Sequence, residues 1–335
     1  MATILPRPLG STIWLTLLIL ITTELRALSA PSFTQEPITL PIPVGTLAGT
    51  LLLPSGPGPF PVALIIAGSG PTDRDGNSMV LKTDTYKKLA QGLAEQGIAT
   101  LRYDKRSIGA SLARQAESDL RFDDYVNDAL ALTALLERDE RFTSVSIIGH
   151  SEGSLLGMLA ARRDPNVRAF VSLAGAGRNL ATILDEQIRA NPNNPPNILK
   201  EVESINASLL AGKTVANTDP LLAALFRPSV QPYVISEYKY DPAKEIAKLT
   251  IPVLIVQGTS DVQVGIADAK RLATAKPDAT FVLIDGMNHI LVDAPADRSQ
   301  NIATYSDPSL PLNTKLIPTI AAFLKTQTHG TAASL

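Results

Sequence analysis

The feature that most restricts what this chain can become is Val145-Ser146-Ile147-Ile148-Gly149-His150-Ser151-Glu152-Gly153-Ser154. A short apolar run ends in a serine with a glycine two residues to each side, and Leu155, Leu156, Met158 and Leu159 then give the next segment a helical apolar face. A buried strand entering Gly-x-Ser-x-Gly and leaving as a helix turns so tightly that the serine takes strained backbone geometry. Only glycine permits the resulting close approach of strand and helix. The turn pushes the serine side chain out over the end of the sheet. The helix expected over 152–161 aims its unpaired N–H groups and positive dipole end at the same spot. Ser151 is the candidate nucleophile, and the N–H of Glu152 is a candidate donor to an oxyanion.

Such a turn needs a sheet around it, and the hydrophobic pattern supplies one. Residues 31–43 read as extended and proline-punctuated, 46–53 as a strand closed by the Pro/Gly cluster at 54–59, and 62–67 as a strand buried on both faces. Helices are expected over 82–96 and 123–138, and strands over 98–103 and 167–174. From about 180 to 248 the alternation stops, and helical stretches are separated by proline-bearing breaks at 191–196, 219–220 and 227–228. This reads as an inserted helical lid. Leu209, Leu210, Leu221, Leu222, Leu225 and Phe226 exceed what a solvated insertion needs, so some are expected to roof a pocket while most pack the lid on the core. Alternation returns with a strand at 253–258, a helix at 266–275, a strand at 280–284 and a closing helix at 312–325. The expected fold class is α/β, a doubly wound, mostly parallel sheet with an inserted helical lid. Its core is 31–179 with 249–335, and its lid 180–248.

Two polar loops fall at the presumed carboxyl edge of that sheet, where ligands bind in open α/β folds. Residues 68–77 (Gly-Ser-Gly-Pro-Thr-Asp-Arg-Asp-Gly-Asn) place glycines on both sides of Ser69, which lets its N–H bend toward a substrate oxygen as a second oxyanion donor. Residues 104–111 (Asp-Lys-Arg-Ser-Ile-Gly-Ala-Ser) carry charges that either line the pocket or, the favoured reading, fix the loop through ion pairs.

A serine hydroxyl needs a base, and histidine suits that exchange at neutral pH. The chain has three. His150 lies inside the tight turn, which is expected to direct it away, and His329 sits in a tail of Thr, Gly, Ala and Ser. His289 follows the last strand in a glycine-containing loop on the catalytic edge, and it is the choice. Asp261, just past the preceding strand, is the best carboxylate to orient it. Asp285 and Asp293 are nearer in sequence but less well placed.

Length and composition bound the rest. At 335 residues and 45% hydrophobic, with a formal net charge of -2 and no long single-sign run, the chain suits one large α/β domain with an insertion and shows no nucleic-acid footprint. With no cysteine, disulfides, thiol nucleophiles and thiolate metal sites are excluded. At the amino terminus Arg7, an apolar core over 13–21 and small residues at Ala27, Ser29 and Ala30 have the layout of a signal peptide over 1–30. The protein is expected to be exported, periplasmic or secreted. Membrane contact would come only through that segment if it stayed uncleaved.

Together Gly-His-Ser-Glu-Gly, the Gly-Thr-Ser-Asp turn and Gly-Met-Asn-His resemble the α/β-hydrolase superfamily. The loop at 68–77 and the turn Tyr-Asp-Lys-Arg-Ser-Ile-Gly resemble a bacterial subgroup of carboxylesterases. The resemblance implies a Ser151, Asp261, His289 triad, oxyanion N–H groups from Ser69 and Glu152, and hydrolysis of small-molecule acyl esters through an acyl-serine without metal or organic cofactor. Two positions depart from it: Ala67 stands where many relatives have histidine, and Ser107 where glycine is usual. Peptide or thioester hydrolysis stays open because the same triad serves all acyl transfer. A carboxylate such as Glu152, Glu186, Glu201 or Glu203 would then hold a free terminus. A binding protein without catalysis is the alternative from another class.

Overall fold

The computed structural model describes residues 1–3 and 32–327. The expected signal segment, but for its first three residues, and His329 lie outside them. The chain divides into two units, Met1–Pro31 and Ser32–Leu335, and the architecture below is that of the second.

Among the described residues nine strands form one sheet in the order β1-β2-β4-β3-β6-β7-β8-β9, with the short β5 paired to β2. The strands are β1 Phe33–Ile42, β2 Gly45–Pro54, β3 Phe60–Ile66, β4 Ala99–Tyr103, β5 Leu112–Ala113, β6 Phe142–His150, β7 Val167–Leu173, β8 Val253–Gly258 and β9 Thr280–Ile284. From β4 through β3 to β9 every pairing is parallel, and β1 and β2 extend the edge antiparallel. The sequence pattern predicts β1 only as extended chain. It tolerates Pro37 and Pro41 because an edge strand has one ladder to satisfy rather than two.

The helices are α1 Thr85–Glu95, α2 Phe122–Glu137, α3 Glu152–Arg163, α4 Leu180–Arg189, α5 Pro196–Leu210, α6 Ala223–Phe226, α7 Gln231–Glu237, α8 Pro242–Ile246, α9 Ile266–Ala275, α10 Arg298–Ala303 and α11 Leu316–Thr326. They cover both sheet faces, and the strands divide their side chains between them with period two. Val62, Leu64 and Ile66 join the cluster with α2 and α3, while Ala63, Ile65 and Ala67 join the one with α1 and α11. Burial on both faces is why these strands are unbroken apolar runs.

Two helix starts differ from expectation by three residues or more. α1 begins at Thr85 rather than 82 because the Asn77 side chain accepts the N–H groups of Thr83 and Asp84, and Asp84 takes a left-handed conformation with φ 51°. α11 begins at Leu316 rather than 312 because Leu312 bridges to Val292 and the Asn313 N–H donates to the Leu291 carbonyl at 2.9 Å. The segment between β7 and β8 carries α4 to α8 and no strand. Of its six singled-out apolar residues, Leu209, Leu222 and Phe226 are buried and Leu210, Leu221 and Leu225 exposed.

Candidate active site

Ser151 stands between β6 and α3 with φ 55° and ψ -122°, a conformation costly for a residue with a side chain. Its neighbours make the turn possible by lacking one. A Cβ on Gly149 would lie 2.2 Å from the Gly153 carbonyl oxygen, and one on Gly153 would lie 2.3 Å from that of Ile66. Either substitution drives atoms into backbone, so the strand, turn and helix close only with glycine there. The Ser151 N–H donates to the Leu173 carbonyl at 2.9 Å, which ties the turn to β7.

Gly68 presses against this turn: a Cβ built on it would be 3.1 Å from the Ser151 Cβ. That contact brings the Gly68-Ser69 loop beside the start of α3. Among the described residues neither the Ser69 N–H nor the Glu152 N–H has an acceptor in the protein. The loop itself is held from below, where the buried Lys105 Nζ donates to the Gly68 carbonyl at 2.6 Å and stands 3.5 Å from a Glu152 carboxylate oxygen.

Asp261 and His289 meet across adjacent parallel strands, Asp261 three residues past β8 and His289 five past β9. The His289 Nδ1 is 2.8 Å from Asp261 Oδ2. Asp261 also accepts the N–H groups of Gln263 at 2.8 Å and Val264 at 2.9 Å, and the Gln257 Nε2 at 3.0 Å. Burial pushes its carboxyl up, but the adjacent His289 and these amides outweigh burial and hold it below the usual carboxylate range. An ionised carboxylate only accepts, so the proton between them belongs to Nδ1 and the lone pair to Nε2. Ser151, Ser69 and His289 line one cavity of about 140 Å³. The competing carboxylates are engaged elsewhere: Asp285 accepts from the Thr259 hydroxyl, and Asp293 from the Asn313 side chain.

His150 is not turned away. β6 ends at His150 itself, so its ring emerges at the sheet edge, lines the same cavity and lies 4.8 Å centre to centre from the His289 ring. Its Nε2 is 2.7 Å from the His289 carbonyl oxygen, which can only accept, so Nε2 carries the proton. Nδ1 then accepts from the Tyr86 hydroxyl at 2.8 Å, and the Tyr86 oxygen in turn accepts the Gly68 N–H at 2.9 Å. One chain of neutral hydrogen bonds thus runs from the Gly68-Ser69 loop to the backbone of His289. Burial pushes His150 down to about 3, with the neighbouring His289 adding to it. Tyr86 is pushed well above its ordinary value by its own burial. The contacts that join these residues do not show in the sequence, since their partners lie 64 and 139 residues away along the chain.

A second cavity of about 370 Å³ is lined by Glu152, Lys105, Tyr125 and Tyr233, with Val230 and Arg227 from the helical segment. The loop at 104–111 both fixes and lines. Asp104 pairs with Arg74 at 2.6 Å and Arg106 with Asp128 at 2.8 Å, while Lys105, Arg106 and Ser107 face this cavity. Ser107, where the resemblance expects glycine, has φ 59°. Within the wall Tyr233 donates to Glu152 at 3.0 Å. Glu237 is buried nearby, and that burial, helped by the Glu152 carboxylate, raises its carboxyl well above the usual range.

Comparison with known proteins agrees with this architecture. The family model described as serine aminopeptidase, S33, matches residues 79–295. The chain is 28% identical over 275 residues to esterase EstD of Thermotoga maritima, covering 78% of this chain. It spans about 61% of that relative's length. It is 22% identical to a 2-(acetamidomethylene)succinate hydrolase of Mesorhizobium japonicum, over 66% of this chain and 82% of the other. Among solved structures, Est1E of Butyrivibrio proteoclasticus with bound ferulic acid superimposes with a TM-score of 0.59 at 21% identity, covering 87% of this chain and 98% of that one. The mostly parallel α/β fold expected from the sequence is therefore the fold found, and the chain belongs to the family described as serine aminopeptidase, S33.

Proposed function

We propose that the protein is a serine carboxylesterase that cleaves small-molecule esters through an acyl-serine. The carrying observation is the Asp261–His289 hydrogen bond of 2.8 Å in a loop whose histidine shares a cavity with Ser151. Ser151 Oγ attacks the ester carbonyl as its proton passes to His289 Nε2. His289 then protonates the departing alcohol, and Asp261 holds the tautomer and steadies the imidazolium. The Ser69 and Glu152 N–H groups receive the oxyanion, each such donor contributing roughly 3 kcal/mol of barrier lowering. The likeness to esterase EstD supports ester hydrolysis.

The aminopeptidase reading needs an accessible carboxylate for a free amino terminus. Glu152 is engaged by Tyr233 and Lys105, Glu186 by Arg178, Glu203 by Arg189, and Glu201 accepts the Asp219 N–H at 2.6 Å. Of these four only Glu152 lines either cavity. Ester cleavage is accordingly preferred over terminal peptide cleavage. Incubation with a fluorophosphonate probe should give one adduct per chain, on Ser151, with loss of p-nitrophenyl acetate hydrolysis. An adduct elsewhere, or full activity after labelling, refutes the assignment. The helical segment 180–248 is proposed as a lid. Export is proposed from the apolar core at 13–21 and tested by the mass of the mature chain recovered outside the cytoplasm.

A further inference from the structure

The two cavities share no lining residue, and the boundary between them runs through consecutive residues at the reacting centre. Gly68, Ser69 and Ser151 face the smaller one, while Gly70, Pro71 and Glu152 face the larger. The two amides assigned to the oxyanion, of Ser69 and Glu152, therefore sit at the partition. A tetrahedral carbon held there has its oxyanion on those amides and Ser151 Oγ as a second substituent, so the remaining two, the acyl and alcohol groups, must point in different directions.

Proton transfer decides which goes where. When the carbon–oxygen bond to the alcohol breaks, the electron pair stays on the alcohol oxygen and the proton comes from His289 Nε2. That oxygen must therefore lie within hydrogen-bond reach of His289. The alcohol leaves into the cavity His289 lines, and the acyl group occupies the other. Water then enters on the vacated side, gives its proton to Nε2 and adds to the carbonyl. The bond to Ser151 Oγ breaks as that proton returns to Oγ, giving the acid and the free serine hydroxyl.

The sizes are unequal. About 140 Å³, walled by Leu81, Thr83, Gln263 and Tyr305, holds roughly four or five non-hydrogen atoms at the ~30 Å³ that a water-sized group occupies. About 370 Å³ holds roughly a dozen. The larger cavity is walled by Ile108, Leu120, Val230 and the edge-on pair Tyr125 and Tyr233. Its three cations each have a carboxylate of their own: Lys105 with Glu152, Arg106 with Asp128, and Arg227 with Glu117. No charge is left over for an ionised acyl group. Resting on the esterase reading above, we propose that the enzyme cleaves esters of a neutral, largely apolar acid of medium size with a small alcohol, with Val230 among the residues that set the acyl limit.

Two matched series read by proton release test this on the purified protein: methyl esters from acetate to octanoate, and acetates from methyl to octyl. The partition predicts that kcat/KM rises at least tenfold along the first and falls at least tenfold along the second. Val230→Trp should lower kcat/KM for methyl octanoate at least tenfold more than for methyl acetate. A fluorophosphonate-labelled enzyme with the reverse or flat dependence, or a Val230→Trp protein whose ratio is unmoved, overturns the partition while leaving the esterase reading intact. Absence of both labelling and cleavage overturns the esterase reading, and the partition with it.

Discussion

The two flanks of Ser151 are held by different forces. On the His289 side, apart from the Asp261 carboxylate against His289 and the Lys105 donor to the Gly68 carbonyl, the contacts are neutral or main-chain: Gly68 to Tyr86, Tyr86 to His150, His150 to the His289 carbonyl, and backbone N–H groups on Asp261. On the Lys105 side they are ion pairs, two buried around Lys105 and Arg106 and one exposed between Arg227 and Glu117. Directional hydrogen bonds with fixed tautomers suit proton transfer, where a displacement of about 1 Å costs a hundredfold in rate. Ion pairs tolerate more geometry and suit a wall that accommodates acyl groups. If this contrast is right, damage to the first flank should appear in kcat, and damage to the second mainly in KM and substrate choice.

The largest effect should follow loss of the proton path. Ser151→Ala and His289→Gln should each lower kcat by roughly a millionfold. Asp261→Asn, which leaves the ring in place but removes the charge, should lower it by about ten-thousandfold. Single-turnover rates on an ester the parent cleaves well would check the order. An Asp261→Asn enzyme within tenfold of the parent would mean that Asp261 caps its own loop through Gln263 and Val264 and does little for the histidine.

The residues of the proposed proton path stand out in the sequence because each follows the end of a strand. The elements 253–258, 266–275 and 280–284 fall where the pattern puts them: the first is buried throughout and so an unbroken apolar run with an abrupt polar end, while the last is a short apolar strand at the sheet edge. Asp261 and His289 follow those ends, and parallel packing brings adjacent loops together. His150 defeats a local reading because its role depends on Tyr86 and on the His289 carbonyl, which no sequence pattern connects to it. The helical segment is least readable. Periodicity reveals apolar faces at Leu209, Leu222 and Phe226 but not that they pack inward, leaving Val230, Tyr233 and Arg227 to reach the cavity.

An intermediate effect tests the neutral flank through pH. His150 is depressed to about 3 from an ordinary 6.5, with Tyr86, His289 and Asp261 as its titratable neighbours. Between those values the unfolded chain binds a proton that the folded protein refuses, so stability falls as pH falls. From pH 7 to pH 5 the loss from this residue comes to about 2 kcal/mol, at roughly 1.4 kcal/mol for each pH unit below 6.5. Unfolding free energies from urea titrations at the two pH values should therefore differ more for the parent than for His150→Gln, by about that amount. Equal differences would mean that His150 takes up its proton in the folded state and that the neutral chain to His289 breaks in mild acid.

The smallest effect belongs to the charged flank at its mouth. Arg227 and Ser229 of the helical segment converge on Glu117, just before α2, and the Arg227 and Glu117 side chains are 41% and 40% exposed. Bonding to Arg227 keeps the Glu117 carboxyl below its ordinary range, but an exposed pair in water is worth at most ~1 kcal/mol. Glu117→Gln should thus cost less than about 1 kcal/mol in urea unfolding, with the deficit shrinking as salt screens the parent's pair. Its KM for a long-acyl ester should move by no more than about fivefold, with kcat close to the parent's. A salt-independent loss above about 2 kcal/mol would require the pair to be sealed from water in solution. The helical segment would then close over the acyl cavity more tightly than its exposed ion pair indicates, and the contrast between a rigid and an adaptable flank would disappear.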